Sequence, residues 1–274
     1  MTTATMTRDV PFAEYLAIDA LHFGALKVLD LSPLHYRHHL RAPREESEAM
    51  TLGRLVHGLV LSGVAPEDVA FYDGPVRRGK VWEAFAAEHA GKSIVLKSQM
   101  AAASAMHEAV MHHAGARELL SRGEPEVTLR WRAGRRACKG RIDWWTGEQI
   151  VELKTTRAID PRTFEKECAS RAYHAQLAFY SAGLAAARRR EAPVLPALIT
   201  VESAPPYDVC VYRVGFDVLE AGAAKVESWL STLDRCEASG HWPGVDGGRR
   251  AVDLRLPEWA TEGGEEPDFT GIGG

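Results

Sequence analysis

The sequence lacks clustered cysteines, membrane-spanning segments and a signal peptide. Its four cysteines are widely spaced and form no C-x-x-C pair, so neither a zinc ribbon nor a disulfide framework is predicted. No apolar run approaches the length of a membrane span, and the N-terminal residues contain no signal-peptide core. These absences predict a reduced, cytoplasmic protein with no membrane association.

A net positive charge is also missing. The formal net charge is −4 at pH 7, so contacts with a nucleic acid would have to come from local basic patches. One basic run occupies 130–141 and another occupies 188–190. For the first run, tracking of phosphates and a solvated surface are equally consistent with the sequence. The second run falls at a predicted helix end, where cations suit the helix dipole, and a solvated surface is favoured there.

The chain does contain enough apolar material for one large core. Of its 274 residues, 46% are hydrophobic, and their spacing predicts helices, three strands, two helices, two strands and a final helix. This order indicates an α/β fold with a mixed central sheet flanked by helices. The predicted helices cover 12–30, 33–41, 46–62, 80–90, 98–121 (one or two helices), 161–170, 173–189 and 216–238. The predicted strands cover 125–132, the two arms of 139–156, 194–202 and 208–214. A single domain is predicted over 1–245, followed by an irregular, acidic, glycine-rich tail over 246–274.

The most informative stretch is 139–156, which reads KGRIDWWTGEQIVELKTT. Two extended runs flank a Gly-Glu dipeptide at 147–148, and glycine at the first central position suits a two-residue type II′ hairpin turn. That turn places Asp143 directly opposite Glu152. Because side chains two residues apart leave a strand on the same face, Glu152 and Lys154 share a face. The stretch therefore predicts two carboxylates and an ammonium that converge on one side of a hairpin.

Like charges opposite each other destabilise a sheet, so this carboxylate pair requires an explanation. A cation can lie between the carboxylates, one of them can be protonated, or Lys154 can neutralise them. Carboxylate oxygens suit a hard divalent ion such as Mg²⁺ or Mn²⁺, which would activate a water and stabilise charge on a phosphate while Lys154 orients or deprotonates the nucleophile. The alternative is that Asp143 and Glu152 are solvated positions on an amphipathic hairpin.

Four blocks of the sequence carry a resemblance to a known family. They are LSPLHYRHHL at 31–40, LGRLVHGLVL at 52–61, CKGRIDWW through VELKTT at 138–156, and YHAQLAFYSAGL at 173–184. In this order they resemble the PD-(D/E)XK nuclease superfamily, and more narrowly its RecE-like branch of phage exonucleases related to exodeoxyribonuclease VIII. One departure is that Ile142 stands where the superfamily's name has proline. The fold that the resemblance implies is a restriction-endonuclease-like core with an N-terminal helical elaboration.

The resemblance implies a metal site and a catalytic lysine. Asp143 and Glu152 would hold the metal together with the carbonyl of Leu153, and Lys154 would be catalytic. The family's G-x-x-x-H helix would bring His57 to the same site. From spacing alone, His57 on the edge of an apolar helical stripe reads instead as a satisfied core histidine.

Other roles follow from the same resemblance. Gln176 and Tyr180 form the Q-x-x-x-Y motif that the family places against the active site and the DNA, although an ordinary amphipathic helix would also present them on one face. Arg37 and Arg141 are possible phosphate contacts, and for Arg37 a polar helix face is the simpler reading. Glu126 could add an acidic group near the metal or could lie at the surface.

The implied function is that of a metal-dependent deoxyribonuclease. The expected activity is 5′→3′ exonuclease digestion of linear double-stranded DNA with free ends, used in recombination or phage-type DNA processing. Mg²⁺ is the implied cofactor, with Mn²⁺ as a substitute, and a ring-shaped homo-oligomer and a single-strand annealing protein are the implied partners. The alternatives are a structure-specific or defence-related endonuclease, a non-catalytic DNA-binding module of the same fold, and a hydrolase of small phosphates.

Overall fold

The computed structural model describes residues 4–42, 47–189, 194–249 and 251–256. Its strands are β1 (Thr5–Thr7), β2 (Val69–Tyr72), β3 (Ser93–Leu96), β4 (Glu124–Ala133), β5 (Arg136–Trp145), β6 (Ile150–Thr156), β7 (Ala197–Glu202) and β8 (Val209–Arg213). The large sheet has six strands in the order β1-β4-β5-β6-β7-β8, and β2 and β3 form a separate parallel pair. Neighbours in the large sheet are antiparallel except for β6 and β7, which are parallel.

Helices precede, interrupt and follow these strands. They are α1 (Phe12–Ala17), α2 (Phe23–Leu26), α3 (Pro33–His39), α4 (Glu48–His57), α5 (Lys80–Glu88), α6 (Lys97–His112), α7 (Ala114–Leu120), α8 (Pro161–Ser170), α9 (Tyr173–Arg188) and α10 (Phe216–Ser239). A 3₁₀ turn, Lys27–Asp30, follows α2, and a π-helical turn, Gly58–Ser62, continues α4.

The helices cover both faces of the large sheet. On one face α9 packs against β4 and β5, with Trp131 and Phe179 in the shared core, and α10 packs against α9. On the other face α4 and α6 pack against β6 and β7, and Leu55 lies in that core. Ile150 belongs to the first core and Val151 to the second, because successive side chains of a strand point to opposite faces. The predicted class, a mixed sheet flanked by helices, is confirmed.

Two helix starts follow the predicted capping chemistry. The hydroxyl of Ser32 accepts the backbone N–H of His35 at 3.2 Å, and Pro33 occupies the first helical position. The carboxylate of Asp160 accepts the backbone N–H of Thr163 at 3.0 Å at the start of α8. In both cases a side-chain oxygen satisfies an N–H group that the helix itself leaves without a partner.

The prediction of one continuous helix over 12–30 is wrong. The chain between α1 and α2 is extended because Leu21 forms a bridge with Cys138 at the side of β5. The N–H of Leu21 donates to the carbonyl of Ala137 at 2.9 Å, and the N–H of Lys139 donates to the carbonyl of Leu21 at 2.8 Å. A pairing partner more than a hundred residues away thus overrides the local helical pattern.

The predicted loop over 63–80 also contains a strand. This strand, β2, pairs with β3 across the intervening helix α5. Arg54 of α4 holds the small sheet in place, since its guanidinium donates to Asp68 at 2.6 Å and to Ser93 at 3.0 Å. The four-residue strands carry too short an alternation to be distinguished from loop residues in the sequence.

The end of the described chain contains neither helix nor strand over 246–249 and 251–256. Most of the predicted tail, 257–274, lies outside the described residues, so the division into a domain and a tail stays a prediction. Throughout the part of the chain that the structure describes, every helix is too short or too polar to cross a membrane.

Helix α10 crosses α9 at a glycine, and we expect the substitution Gly222→Ala to destabilise the protein. A Cβ atom at Gly222 would lie 2.2 Å from the backbone carbonyl oxygen of His174 and 3.0 Å from the Cβ of Ala178. Because the helix backbone must shift to relieve this overlap, the free energy of unfolding should fall by about 1–3 kcal/mol in a urea titration. Gly115→Ala in α7 is the control, since its Cβ would meet no atom within 3.3 Å. An equal loss in both variants would contradict the proposed close crossing.

Candidate active site

The hairpin of β5 and β6 has the predicted turn and register. The N–H of Thr146 donates to the carbonyl of Gln149 at 3.1 Å, which closes a two-residue loop. Gly147 has a φ of 94°, whereas the second central residue has no positive φ, as a type II′ turn requires. The backbone pairs are Trp144 with Val151 and Trp145 with Ile150.

Beyond Val151 the two strands separate, and side chains replace the backbone ladder. The carboxylate of Asp143 accepts the N–H of Leu153 at 2.8 Å, and that of Glu152 accepts the N–H of Asp143 at 3.2 Å. The hairpin register alone predicted that Asp143 and Glu152 would be a directly opposed ladder pair. This prediction is wrong, because the backbone ladder ends at the pair of Trp144 with Val151. Each carboxylate is instead held by a backbone group of the opposite strand, which fixes both acids at the point where the sheet splits.

Lys154 joins this carboxylate pair. Its Nζ lies 2.9 Å from an oxygen of Glu152, whose side chain is 1% exposed, and 5.3 Å from the centre of the Tyr173 ring. Glu152 and Lys154 share a face of β6, as their spacing predicted. The ammonium is thus held between a buried carboxylate and an aromatic face. Sequence reasoning assigned no role to Tyr173, although it opens one of the four resembling blocks.

Helix α9 supplies an amide and a phenol to the same place. The Nε2 of Gln176 donates to Glu152 at 3.1 Å and to the hydroxyl of Tyr180 at 3.3 Å. Close packing of this helix depends on Gly140 of β5, where a Cβ atom would lie 2.8 Å from the Tyr180 ring. The structure therefore brings together Gln176, Tyr180 and the carboxylates.

His57 approaches from the opposite face of the sheet. It ends α4, and its Nδ1 lies 3.4 Å from a carboxylate oxygen of Asp143. The following residues form the π-helical turn, a distortion that often occurs beside functional sites. The contact with Asp143 shows that His57 reaches the carboxylates and is not enclosed in the apolar core.

Burial and mutual charge set the protonation of the site. Burial opposes ionisation of Asp143, but His57 and Lys154 outweigh it and lower the pKa of Asp143. Burial, reinforced by the charge of Asp143, raises the pKa of Glu152 to about 7. Burial would lower the pKa of Lys154, yet the two carboxylates raise it, so this side chain is an ammonium at neutral pH. The pKa of His57 is likewise raised by Asp143 against the effect of burial.

The donor chemistry of the site fits a hard divalent cation. Burial is the main cause of the raised pKa of Glu152 and the charge of Asp143 adds to it, and a cation between the two carboxylates would relieve this repulsion. The same oxygens are engaged by internal donors, and within the described ranges no three His, Cys, Asp or Glu side chains form a group that could hold a metal. The ligand set of His57, Asp143, Glu152 and the carbonyl of Leu153 stays a prediction.

The predicted basic patch at 130–141 is largely engaged within the protein. Arg135 and Arg136 donate to Asp234 and Glu237 of α10. Lys139 is buried against backbone carbonyls. These cations stabilise the packing of β5 and do not form a continuous surface for phosphates.

The other basic residues singled out in the sequence differ in whether they are paired within the protein or exposed. Arg141 is paired with Glu126, so the acidic residue at the start of β4 contacts an arginine. Arg37 is exposed on α3, and no contact joins it to the carboxylates. Arg188 is exposed, donates to the carbonyl of Gly147 at 3.0 Å and therefore braces the hairpin turn. Arg190 lies outside the described residues.

Fold and site together define a class of protein. A mixed sheet that splits at an Asp and a Glu-x-Lys motif is the arrangement of the PD-(D/E)XK nucleases, which the four sequence blocks also indicated. The chain matches the family described as "PDDEXK-like domain of unknown function (DUF3799)" over residues 23–252, and it belongs to that family. A search of curated proteins found no match.

A solved structure is similar to the chain over nearly its whole length. It is the crystal structure of a protein from Eubacterium rectale described as "Putative exonuclease", with a TM-score of 0.63 and 12% sequence identity. The alignment covers 92% of this chain and 97% of the other. At this identity the similarity establishes the fold and leaves the activity to be argued from the site.

We expect Gln176→Ala to weaken catalysis without unfolding the protein. The amide connects Glu152 to Tyr180, and if Glu152 is the metal ligand that the resemblance implies, removing this supporting hydrogen bond should lower activity by about 10- to 100-fold. Tyr180→Phe keeps the ring that packs on Gly140 and should have a smaller effect. Steady-state rates of DNA hydrolysis would compare the two variants. A Tyr180→Phe loss larger than that of Gln176→Ala would contradict this order.

Proposed function

We propose that this protein is a metal-dependent deoxyribonuclease that hydrolyses phosphodiester bonds of DNA. The observation that carries the proposal is the intact group of Asp143, Glu152 and Lys154, with Glu152 buried, at the point where β5 and β6 separate. Membership of a PDDEXK-like family supports it. A chain that had kept the fold only as a binding module would gain nothing from holding the carboxylates of Asp143 and Glu152 close together, because burial and the charge of Asp143 oppose the ionisation of Glu152.

The mechanism follows from the charges of these side chains. A divalent ion held by Asp143, Glu152, the carbonyl of Leu153 and His57 would supply a water of lowered pKa and positive charge near the phosphate. The Nζ of Lys154 lies 2.9 Å from Glu152 and therefore beside the place proposed for the metal. We assign to Lys154 the orientation or the deprotonation of the attacking water and the stabilisation of negative charge on phosphate oxygens.

Gln176 and Tyr180 complete the proposed arrangement from α9. Gln176 fixes the carboxylate of Glu152, and Tyr180 fixes Gln176. Burial raises the pKa of Tyr180 well above its usual value, so its hydroxyl stays protonated and serves as a hydrogen-bond group. These two residues hold the geometry of the carboxylate and the lysine, which is the geometry that hydrolysis requires.

The substrate and direction that we propose are linear double-stranded DNA with free ends, digested 5′→3′, with Mg²⁺ as the cofactor and Mn²⁺ as a substitute. The resemblance to RecE-like nucleases supports this choice, and the structural relative described as "Putative exonuclease" supports its exonuclease part alone. A role in recombination or phage-type DNA processing, a ring-shaped homo-oligomer and a single-strand annealing partner belong to the same proposal. Arg37 and Arg141 are its proposed DNA contacts.

Digestion of linear duplex DNA beside covalently closed circular DNA tests the exonuclease proposal. In Mg²⁺ the linear DNA should be degraded from its ends and the circle should remain intact. Duplexes labelled at the 5′ or at the 3′ end would then give the direction. Cutting of the closed circle would contradict the exonuclease and favour an endonuclease with the same site. Binding of both DNAs without cleavage would favour a non-catalytic module.

A further inference from the structure

Tyr173, the first residue of α9, lies against the amino group of Lys154. The Nζ of Lys154 is 5.3 Å from the centre of the Tyr173 ring and 2.9 Å from a carboxylate oxygen of Glu152. An ammonium within about 6 Å of the face of an aromatic ring is attracted to it. Because a lysine side chain is long and flexible, a defined position for its amino group requires such contacts. The ring and the carboxylate together supply them.

The backbone before Tyr173 has a sparsely populated conformation. Ala172 has a φ of 56° and a ψ of 37°, in the left-handed region that residues other than glycine seldom adopt, and it is buried. Its N–H donates to the carbonyl of Ala169 at 3.1 Å, and its carbonyl accepts the N–H of Gln176 at 3.0 Å. Such a conformation persists where the surrounding contacts enforce it, and it is common at functional sites. The start of α9, and with it the position of Tyr173, is therefore closely defined.

Two further aromatic rings continue from Tyr173 into the core. The ring centroid of the buried Phe164 lies 6.2 Å from that of Tyr173, with the planes inclined by 31°. Phe164 in turn stacks on Tyr212 of β8, with centroids 4.8 Å apart. The hydroxyl of Tyr212 donates to the carbonyl of Ile159. This row of three rings connects α8, α9 and β8, and it holds the face of Tyr173 beside Lys154.

The contact with Lys154 is made by the face of a neutral ring. Burial raises the pKa of the Tyr173 phenol, so this side chain carries no charge at neutral pH. Within the described ranges, no hydrogen bond involves the Tyr173 hydroxyl. A phenylalanine at this position would therefore keep the contact, whereas an aliphatic side chain would remove it.

We propose that Tyr173 is a positioning residue for Lys154 and that its aromatic face holds the amino group where the water attacks the phosphate. The proposal rests on the deoxyribonuclease function and adds a residue to its site. Glu152 has a second task there, because its carboxylate would also hold the divalent ion. The ring of Tyr173 takes no part in holding the ion, so it can position the amino group independently. Without the ring, Lys154 would occupy more conformations and the chemical step would be slower.

Replacement of the ring in two backgrounds tests this role. In the wild-type background, Tyr173→Leu should lower kcat for hydrolysis of duplex DNA by about 2- to 30-fold, the usual strength of a cation–π contact, with little change in KM. Tyr173→Phe should retain the wild-type kcat. In the Lys154→Ala background, Tyr173→Leu should cause no further loss, because the group that the ring positions is absent. An excess of protein over DNA makes the slow reactions of this background measurable.

Tyr72→Leu is the matched control. Tyr72 is likewise a partly buried tyrosine that packs on aromatic rings, those of Trp82 and Phe85, but it belongs to the small sheet. Its variant should keep the wild-type kcat. Urea titrations establish that each variant is folded under the conditions of the assay. If Tyr173→Leu is unfolded, Tyr173→Met takes its place, since methionine also fills apolar space without a ring.

An unchanged kcat in a folded Tyr173→Leu or Tyr173→Met protein would overturn the positioning role. An equal loss in Tyr173→Phe would also overturn it, because the hydroxyl and not the ring face would then be required. The same fold-loss in the Lys154→Ala background would overturn it by revealing a structural effect independent of the lysine. Each of these results leaves the nuclease function standing. Absence of hydrolysis by the wild-type protein on every DNA would instead overturn the proposed function and this role with it, so the two failures are distinguishable.

Discussion

Replacing Lys154 by alanine is expected to lower the rate of DNA hydrolysis by about 10²- to 10⁴-fold, the range typical for removal of a group that acts on the reacting atoms. DNA binding should persist, because the fold and the remaining basic residues are unchanged. The reason for the loss is that the Nζ of Lys154 lies 2.9 Å from Glu152, beside the place where the water attacks and negative charge develops on the phosphate. Rates of nucleotide release and a filter-binding titration would measure the two properties separately.

Lys92→Ala is the matched control for this experiment. Lys92 is an exposed lysine in the connection between α5 and β3, and no ion pair joins it to the site in the described chain. Its removal changes the net charge equally and should leave the rate within a few-fold of the wild type. Full activity of Lys154→Ala would remove the lysine from the mechanism, and loss of both activity and fold would require the comparison to be repeated with Lys154→Met.

The second large effect concerns the metal. A ligand that binds only the folded state stabilises it by about 2.7 kcal/mol when present at 100 times its dissociation constant. For a chain of this size we therefore expect Mg²⁺ or Mn²⁺ to raise the melting temperature of the wild-type protein by roughly 5–10 °C. Asp143→Asn should lose this shift together with the activity, because the amide keeps the shape of the side chain but not its charge.

Asp234→Asn controls for general effects of removing a carboxylate. Asp234 forms exposed ion pairs with Arg135 and Arg136 on the far part of β5, away from the proposed metal ligands. Its variant should keep the full metal-dependent rise in melting temperature. The same shift in wild type and Asp143→Asn, measured by differential scanning fluorimetry with EDTA as the reference, would contradict the proposed ligand set.

Local chemistry made much of the structure predictable. The turn at Gly147 fixed the register of β5 and β6, and the capping residues Ser32 and Asp160 fixed two helix starts. The positions of Glu152 and Lys154 on one face followed from the alternation of a strand. Each of these features depends on residues that are close in the sequence.

Contacts between distant residues were the features that the sequence did not reveal. The helix ends after α1 because Leu21 pairs with Cys138. Arg135 and Arg136 of the predicted basic patch are not available to phosphates because they form ion pairs with acidic residues of α10. The attachment of α1 by Lys139 is of the same kind. No local sequence pattern predicts such contacts, because the two partners are distant in the sequence and meet only when the sheet has formed.

The separation of the strands beyond Val151 is a further case. The hairpin register predicted Asp143 opposite Glu152, but β6 continues as the parallel partner of β7 and leaves β5. The carboxylates then replace the missing backbone acceptors. A turn determines where two strands begin to pair, whereas the rest of the sheet determines where they separate.

The proposed hydrolysis of DNA with a divalent metal at this site can be tested directly. The experiment measures release of acid-soluble nucleotides from linear duplex DNA by the protein in Mg²⁺, in EDTA, and after Mg²⁺ is restored in excess over EDTA. We expect hydrolysis in Mg²⁺, none in EDTA, and recovery when Mg²⁺ returns. Hydrolysis that continues undiminished in EDTA, or a folded protein that binds the DNA and releases no nucleotides in either Mg²⁺ or Mn²⁺, would contradict it.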